Sequence, residues 1–281
     1  MRVIAANKIR DTVSNLCIKA NIVLRQDILQ ALKRSFIKET NKRAKDALDA
    51  IIKNAFIAGK EKLAICQDTG LPCVFVEIGQ DVRINGDLKQ AINKGVESGY
   101  RKGFLRNSII KDPLLRGKPG YLPAIIHADI VKGNKLKITV FPKGFGCENK
   151  SQLRMFKPTA KIRDIEKFII DTVKMAGPDA CPPYIVGVGI GGTADYAAFL
   201  AKKALLNKIN RQTGKPANRQ TNKLEQELLK EINRLNIGPM GLGGKTTALA
   251  VNIETYPTHI AGLPVAVNIS CHALRSATAS I

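Results

Sequence analysis

Three cysteines carry the strongest chemical signal in this sequence. Cys66 opens the stretch CQDTG after an apolar run, Cys181 follows a helix stop in ACPPY, and Cys271 closes LPVAVNIS ahead of HALRSA. Each lies at the rim of an expected element, where a thiol could meet a metal or a substrate. Whole elements separate the three, which excludes the contiguous ligand runs of ferredoxin-type and zinc-finger sites. Spacing alone leaves two readings open, a shared metal cluster and three unrelated thiols. Around Cys66 the side chains Gln67, Asp68 and Thr69 donate or accept hydrogen bonds, and Gly70 permits a turn, as at a site on a strand end. Cys17 falls on one helical face with Ile9, Val13, Leu16 and Ala20, and Cys73 alternates in LPCVFVEIG, so both read as core residues.

Two glycine-rich stretches imitate nucleotide sites. GVGIGG at 187–192 matches G-x-G-x-x-G between an expected strand and helix, yet no acid stands between Asp195 and Glu225 to hold a ribose. An NADP-type variant would use Arg211 instead; otherwise these glycines let backbone approach a ligand or another element closely. GPMGLGGKTT at 238–247 contains Gly-Lys-Thr, but a phosphate-binding loop needs glycine where Pro239 stands. Lys245 is then either an anion contact or a surface lysine.

The chain has 281 residues, enough for one large core or two small ones, and its start has no continuous apolar segment of the export type. The expectation is an unexported, cytoplasmic protein whose six cysteines remain thiols or bind metal. Lys and Arg exceed Asp and Glu by 45 to 23, a net charge of +22, which admits nucleic acid, an acidic partner or small anions. Much of the excess lies on amphipathic stretches at 32–62 and 202–223, and the chain has no Trp for base stacking, so solvated helix faces are favoured over nucleic-acid binding.

The elements that must position these residues follow from periodicity. Helices fill the first 60 or so residues, another spans 86–105, and AIIHADIV and KLKITVF flank KGN as a hairpin. PKGFGCENKS reads as a loop and TGKPANRQTN as an exposed one. A helix over 161–176 stops at GPDACPP, YIVGVGIGG is a buried strand feeding a helix, and HALRSA begins a last helix. The fold class is α/β of the mixed α+β kind, a helical N-terminal part packed on a mixed sheet with flanking helices, as a single domain over 1–281.

ICQDTG, KGFGCEN, ACPPYIVGVGIGGTAD and the stretch from GPMGLGG to NISCHALR, taken in order, resemble the alpha subunits of iron-sulfur-dependent (class I) fumarate hydratases and of L-tartrate dehydratases. The resemblance implies a [4Fe-4S] cluster on Cys66, Cys181 and Cys271; of the two substrates it covers, fumarate/malate stands ahead of tartrate on general frequency only. It implies substrate-binding roles for Gln67, Asp68, Arg106, Gly146 and His259, with Asp68 also a candidate for acid-base catalysis or for orienting a partner. Cys147 stands where related chains often carry serine, and is expected to line the pocket. The resemblance further implies a chain incomplete on its own, joined as α2β2 by a beta subunit that supplies the proton-abstracting base; no nucleic-acid or membrane partner is expected.

Overall fold

A computed structural model describes residues 1–209 and 219–281; the loop expected at TGKPANRQTN lies mostly outside them. In chain order the elements are β1 (Arg2–Ala5), α1 (Ala6–Ile22), α2 (Gln26–Lys38), α3 (Lys42–Glu61), β2 (Leu71–Gly79), β3 (Val82–Asn85), α4 (Leu88–Lys102), β4 (Ile125–Val131) and β5 (Leu136–Lys143). They continue with α5 (Phe145–Glu148), β6 (Gln152–Phe156), α6 (Ile162–Ala176), β7 (Tyr184–Gly192), α7 (Ala194–Ala204), α8 (Arg219–Arg234), β8 (Ala248–Thr258), β9 (Leu263–Ser270) and β10 (Ala277–Ser280). The mixed helix-and-sheet class expected from the sequence is the one observed. The chain divides into two compact units of interleaved sequence, one formed by Met1–Leu24, Ala55–Phe145 and Arg275–Ile281, the other by Arg25–Asn54 and Gly146–Leu274.

In the first unit a four-stranded sheet has the order β10-β5-β2-β4, and β1 pairs with β3 in a small parallel ribbon. The apolar face of α1 (Ile9, Val13, Leu16, Cys17, Ala20) joins Ile92, Val96 and Tyr100 of α4 and Val74, Val76, Ile138 and Val140 of the sheet in one core. Asp87 starts α4 by accepting the Gln90 main-chain N–H at 2.8 Å. The expected hairpin between β4 and β5 does not form. Strand β2 lies between them, parallel to β4 and antiparallel to β5. The reason is burial: LPCVFVEIG is almost continuously apolar and needs a partner on each side, whereas β4 is mostly exposed and suits an edge. The KGN connection therefore hooks over the end of β2, where the Gly79 N–H donates to the Lys135 carbonyl at 2.9 Å. A Cβ on Gly79 would strike the Gly133 carbonyl oxygen.

The second unit holds a sheet of order β6-β9-β7-β8, with β7 antiparallel to β9 and parallel to β8. Its core joins Ile165, Ile169 and Val173 of α6, Leu228 and Ile232 of α8, and Tyr184, Val186 and Val188 of β7. Gly177 ends α6 with φ of 55°, donating to the Val173 carbonyl, as expected from the sequence. Helices α2 and α3 bury Ile28, Leu32, Ala44 and Leu48 and leave Lys33, Arg34, Lys42, Arg43 and Lys53 exposed, so their basic composition belongs to a solvated face.

The glycines of GVGIGG are a packing device. A Cβ on Gly187 would run into the Ala201 carbonyl oxygen, and one on Gly189 into that of Ala197, so bare backbone lets α7 lie directly on β7. By contrast, a Cβ on Gly146 has open space around it among the described residues. Gly189→Ala is expected to destabilise the fold by about 2 kcal/mol or more through overpacking. Gly146→Ala should stay within about 0.5 kcal/mol of the parent. Urea unfolding of the two variants checks both, and equal midpoints would contradict the packing role.

Candidate active site

The CQDTG loop belongs to the first unit and precedes strand β2, so the site stands at a strand's start and not at its end. The apolar run before it is too short for a strand, and Leu63 within it is exposed. What fixes the loop is a set of bonds to its main chain. The Tyr100 hydroxyl lies 2.8 Å from the Thr69 carbonyl and 3.1 Å from that of Gly70. An Arg275 Nη2 N–H donates to the Asp68 carbonyl. Thr69 Oγ1 accepts the Arg106 N–H at 3.1 Å and donates to the Arg106 carbonyl at 3.3 Å. Arg106 is thereby held beside the loop with its side chain exposed.

Asp68 ties the loop to itself and to the start of α5. Its Oδ1 accepts the Gly70 N–H at 2.9 Å, and its Oδ2 accepts the Phe145 N–H at 2.8 Å. Both oxygens are thus engaged by main-chain donors, which favours the orienting role over acid-base catalysis. Cys66 is left half-buried and Gln67 exposed, on a loop whose following three residues are fixed.

Tyr100 and Arg275 were not singled out in the sequence, and both are almost wholly buried. Burial pushes the Tyr100 hydroxyl well above the usual tyrosine range, with the positive charge of Arg275 acting the other way, so it remains a donor. Arg275 Nε has no hydrogen-bond partner among the described residues, which leaves a buried donor beyond the bond to Asp68. Lys143 is a second buried cation here, opposite Leu71 in the β2–β5 register. Residues 272–276 form a turn and an irregular segment instead of the expected helix start, and this brings Arg275 to the loop.

In the second unit Cys181 and Cys271 come together at one end of the sheet. Cys181 precedes β7 and Cys271 follows β9, whose Ser270 is registered with Ile185. The Cys181 carbonyl accepts from the His272 N–H at 3.4 Å and lies 3.0 Å from His272 Nδ1. A carbonyl only accepts, so His272 must carry a proton on Nδ1. Cys181 has φ of 57°, an uncommon conformation for a residue with a side chain, of the kind that clusters at functional sites. Both thiols are half-buried.

The other cysteines are buried: Cys17 in α1, Cys73 in β2, and Cys147 in α5, where the expected loop is one turn of helix. Cys147 Sγ donates to the Ala180 carbonyl at 3.2 Å and packs in the second core, so it is a core residue one position from Cys181 in contact. Gly146 begins the second unit at the same turn. His259 lies on the β8–β9 turn, with Nδ1 accepting the Ala261 N–H at 3.2 Å. The whole of β9 separates it from Cys271, roughly 25 Å at about 3.3 Å per residue.

Among the described residues, no three His, Cys, Asp or Glu side chains are gathered as ligands of one metal ion. A single ion draws thiolate sulfurs to within about 4 Å of each other, given metal–sulfur bonds near 2.3 Å. In a cubane each thiolate takes a different iron, which asks for wider spacing. Three half-buried thiols on restrained loops, with three others sequestered in cores, are a donor set suited to such a cluster.

The imitation nucleotide motifs are filled by the chain itself. Gly187 and Gly189 face α7, and Arg211 lies outside the described residues. In the GLGGKTT loop, buried Glu39 accepts the Lys245 N–H on Oε2 at 2.8 Å and the Thr40 and Asn41 N–H groups on Oε1 at 2.9 Å. Asn236 Oδ1 takes the Gly244 N–H, and Lys245 Nζ donates to the Lys38 carbonyl. An internal carboxylate thus takes the donors a phosphate would need.

The family model described as Fumarate hydratase (Fumerase) matches residues 10–280. The chain belongs to the fumarate hydratase (Fumerase) family. A Methanocaldococcus jannaschii protein, provisionally named L(+)-tartrate dehydratase subunit alpha, is 41% identical over 278 residues, covering 96% of both chains. The L(+)-tartrate dehydratase subunit alpha of Escherichia coli K12 is 30% identical, over 98% of this chain and 91% of its own. Membership of the Fumerase family and these names support a hydro-lyase of the alpha-subunit type. Among the described residues no helix is long and apolar enough to cross a membrane.

Two outcomes check the site. Burial raises the Cys17 thiol to about 12, which leaves a thiolate fraction near 10⁻⁴ at pH 8. Alkylation of the native, metal-free chain at that pH should mark Cys66, Cys181 and Cys271 before Cys17, Cys73 and Cys147, as read by peptide mass spectrometry; early labelling of Cys17 would contradict the burial. Tyr100→Phe removes the donor to the Thr69 and Gly70 carbonyls and should cost about 1–2 kcal/mol in urea unfolding.

Proposed function

We propose that this chain is the alpha subunit of a [4Fe-4S]-dependent hydro-lyase that adds water to, or removes it from, a C4 dicarboxylate. The observation that carries the reading is the separation of the six thiols into a half-buried set on pinned loops (Cys66, Cys181, Cys271) and a buried set (Cys17, Cys73, Cys147). Cys66, Cys181 and Cys271 would hold the cluster, three thiolates leaving one iron without a protein ligand. When bound, the cluster supplies a Lewis acid that eases departure of hydroxide from a 2-hydroxy acid.

The chain's own residues do the rest of the positioning. Arg106 presents a guanidinium fork that pairs bidentately with a carboxylate. The Gln67 amide both donates and accepts, and it stands next to Cys66 on a loop that Tyr100, Arg275 and Asp68 immobilise. Asp68 orients that loop, and Gly146 leaves room for backbone to approach the substrate. Arg275 and Lys143 add buried positive charge that favours a di-anion. His259 lies at the sheet end opposite Cys271, so its substrate-contact role rests on the resemblance alone.

Dehydration also removes a proton from the carbon beside the leaving hydroxyl, and a separate beta subunit would supply that base. The heteromeric reading rests on the alpha-subunit names of the relatives. Those names support L(+)-tartrate as the first reading of the substrate, and the fumarate hydratase description of the family supports fumarate as the second. Compartment follows from the chemistry: a cluster with an open iron suits a reducing cytoplasm.

Anaerobic co-purification with the same organism's beta subunit, followed by assays on both tartrates, malate and fumarate, decides the substrate. Cys66→Ser, Cys181→Ser and Cys271→Ser should each lose the cluster, measured as iron and sulfide per chain. Cys17→Ser and Cys73→Ser should retain it. A full cluster in all three of the first set would refute the assignment.

A further inference from the structure

The segment 109–120 is built as an exposed arm with an ordered, apolar tip. Ile109 and Gly120 exchange main-chain bonds at 3.0 and 2.7 Å, and Ile109 is buried, which anchors the base. Nearer the tip the Arg116 N–H donates to the Asp112 carbonyl at 3.0 Å. Asp112 Oδ1 accepts the N–H groups of Leu114 and Leu115, both at 2.9 Å, which closes the turn. Asn107 Nδ2 donates to the Pro119 carbonyl and braces the arm's two sides. The turn displays Leu114 at 88% and Leu115 at 85% exposure, and Phe104 stands 96% exposed just before the arm. Lys111, Arg116 and Lys118 are exposed around the leucines.

An isolated chain gains nothing by ordering two adjacent leucines in water, since side chains of this kind stabilise only when covered. The turn that holds them is capped by a side chain, so little conformational entropy would be lost when a partner covers them. Charge says which partner. A second copy of this chain carries +22 and would oppose the basic arm, whereas an acidic surface attracts it. Position says what the contact serves, because Arg106, just before the arm, is hydrogen-bonded to Thr69 of the CQDTG loop.

We propose that Leu114 and Leu115 insert into an apolar pocket with an acidic rim on the separate beta subunit, docking that subunit beside the CQDTG loop. The proposal rests on the heteromeric reading above. It assigns the arm as the place where the chain supplying the proton-abstracting base attaches.

The test uses the full-length chain co-expressed with the same organism's beta subunit. Leu114→Asp combined with Leu115→Asp should weaken the complex at least about 30-fold, as loss of a hot spot does. The thermal unfolding of the isolated variant should match the parent, because both side chains are in solvent. Leu114→Ala with Leu115→Ala should weaken binding in the same direction without adding charge. Reversal of Lys111, Arg116 and Lys118 to Glu should also weaken the complex and flatten its salt dependence. A photo-crosslinker at position 115 should join the beta subunit. Wild-type affinity in both leucine double variants, or a crosslink to a second copy of this chain, overturns the docking surface and leaves the heteromeric reading standing. Failure of the parent chain to bind the beta subunit overturns both.

Discussion

A reactive loop must be still in its backbone and open in its side chains, and the bonds to the Asp68, Thr69 and Gly70 carbonyls meet that constraint. Tyr100 and Arg275 reach these carbonyls from buried positions, so their bonds are not weakened by competing water. The Asp68 carboxylate closes the loop on itself and on the start of α5. With the main chain fixed from several directions, half-buried Cys66 and exposed Gln67 stand on a restrained backbone. The hydrophobic core beneath serves the same end, because Tyr100 is held by α4, whose apolar face packs on α1 and the sheet.

The second unit solves the same problem by strand geometry. Antiparallel pairing of β7 with β9 places the residues before one strand and after the other at the same sheet end. Cys181 and Cys271 occupy those two positions, far apart in sequence and adjacent through the His272–Cys181 bond. The positive φ at Cys181 is tolerated because the His272 bonds and the following strand restrain it on both sides. The opposite sheet end carries His259, so the same pairing that joins the thiols separates that histidine from them.

What was legible in the sequence is what local periodicity encodes. The buried face of α1, the glycine stop of α6 and the core character of Cys17 and Cys73 each follow from spacing within one element. Pairing of distant strands was not legible in this way. The KGN turn signal is genuine, yet it joins strands separated by β2, because sheet order is set by which strand is apolar enough to be central. Tyr100 and Arg275 were missed for a related reason: a tyrosine on an apolar helix face and an arginine near an expected helix start look ordinary until the fold brings carbonyls to them. The GVGIGG and GLGGKTT stretches show the converse, where a local pattern is present but the space it suggests is filled by α7 and by Glu39.

The Thr69 hydroxyl gives to the Arg106 carbonyl and receives from the Arg106 amide, so one side-chain oxygen closes a ring with both polar groups of a residue far along the chain. Two segments stitched in this manner form a cooperative unit, since releasing either strands the hydroxyl and both backbone groups at once. The CQDTG loop and the root of the Leu114–Leu115 arm are therefore coupled through one hydroxyl. Ordering either one prepays the entropy of the other.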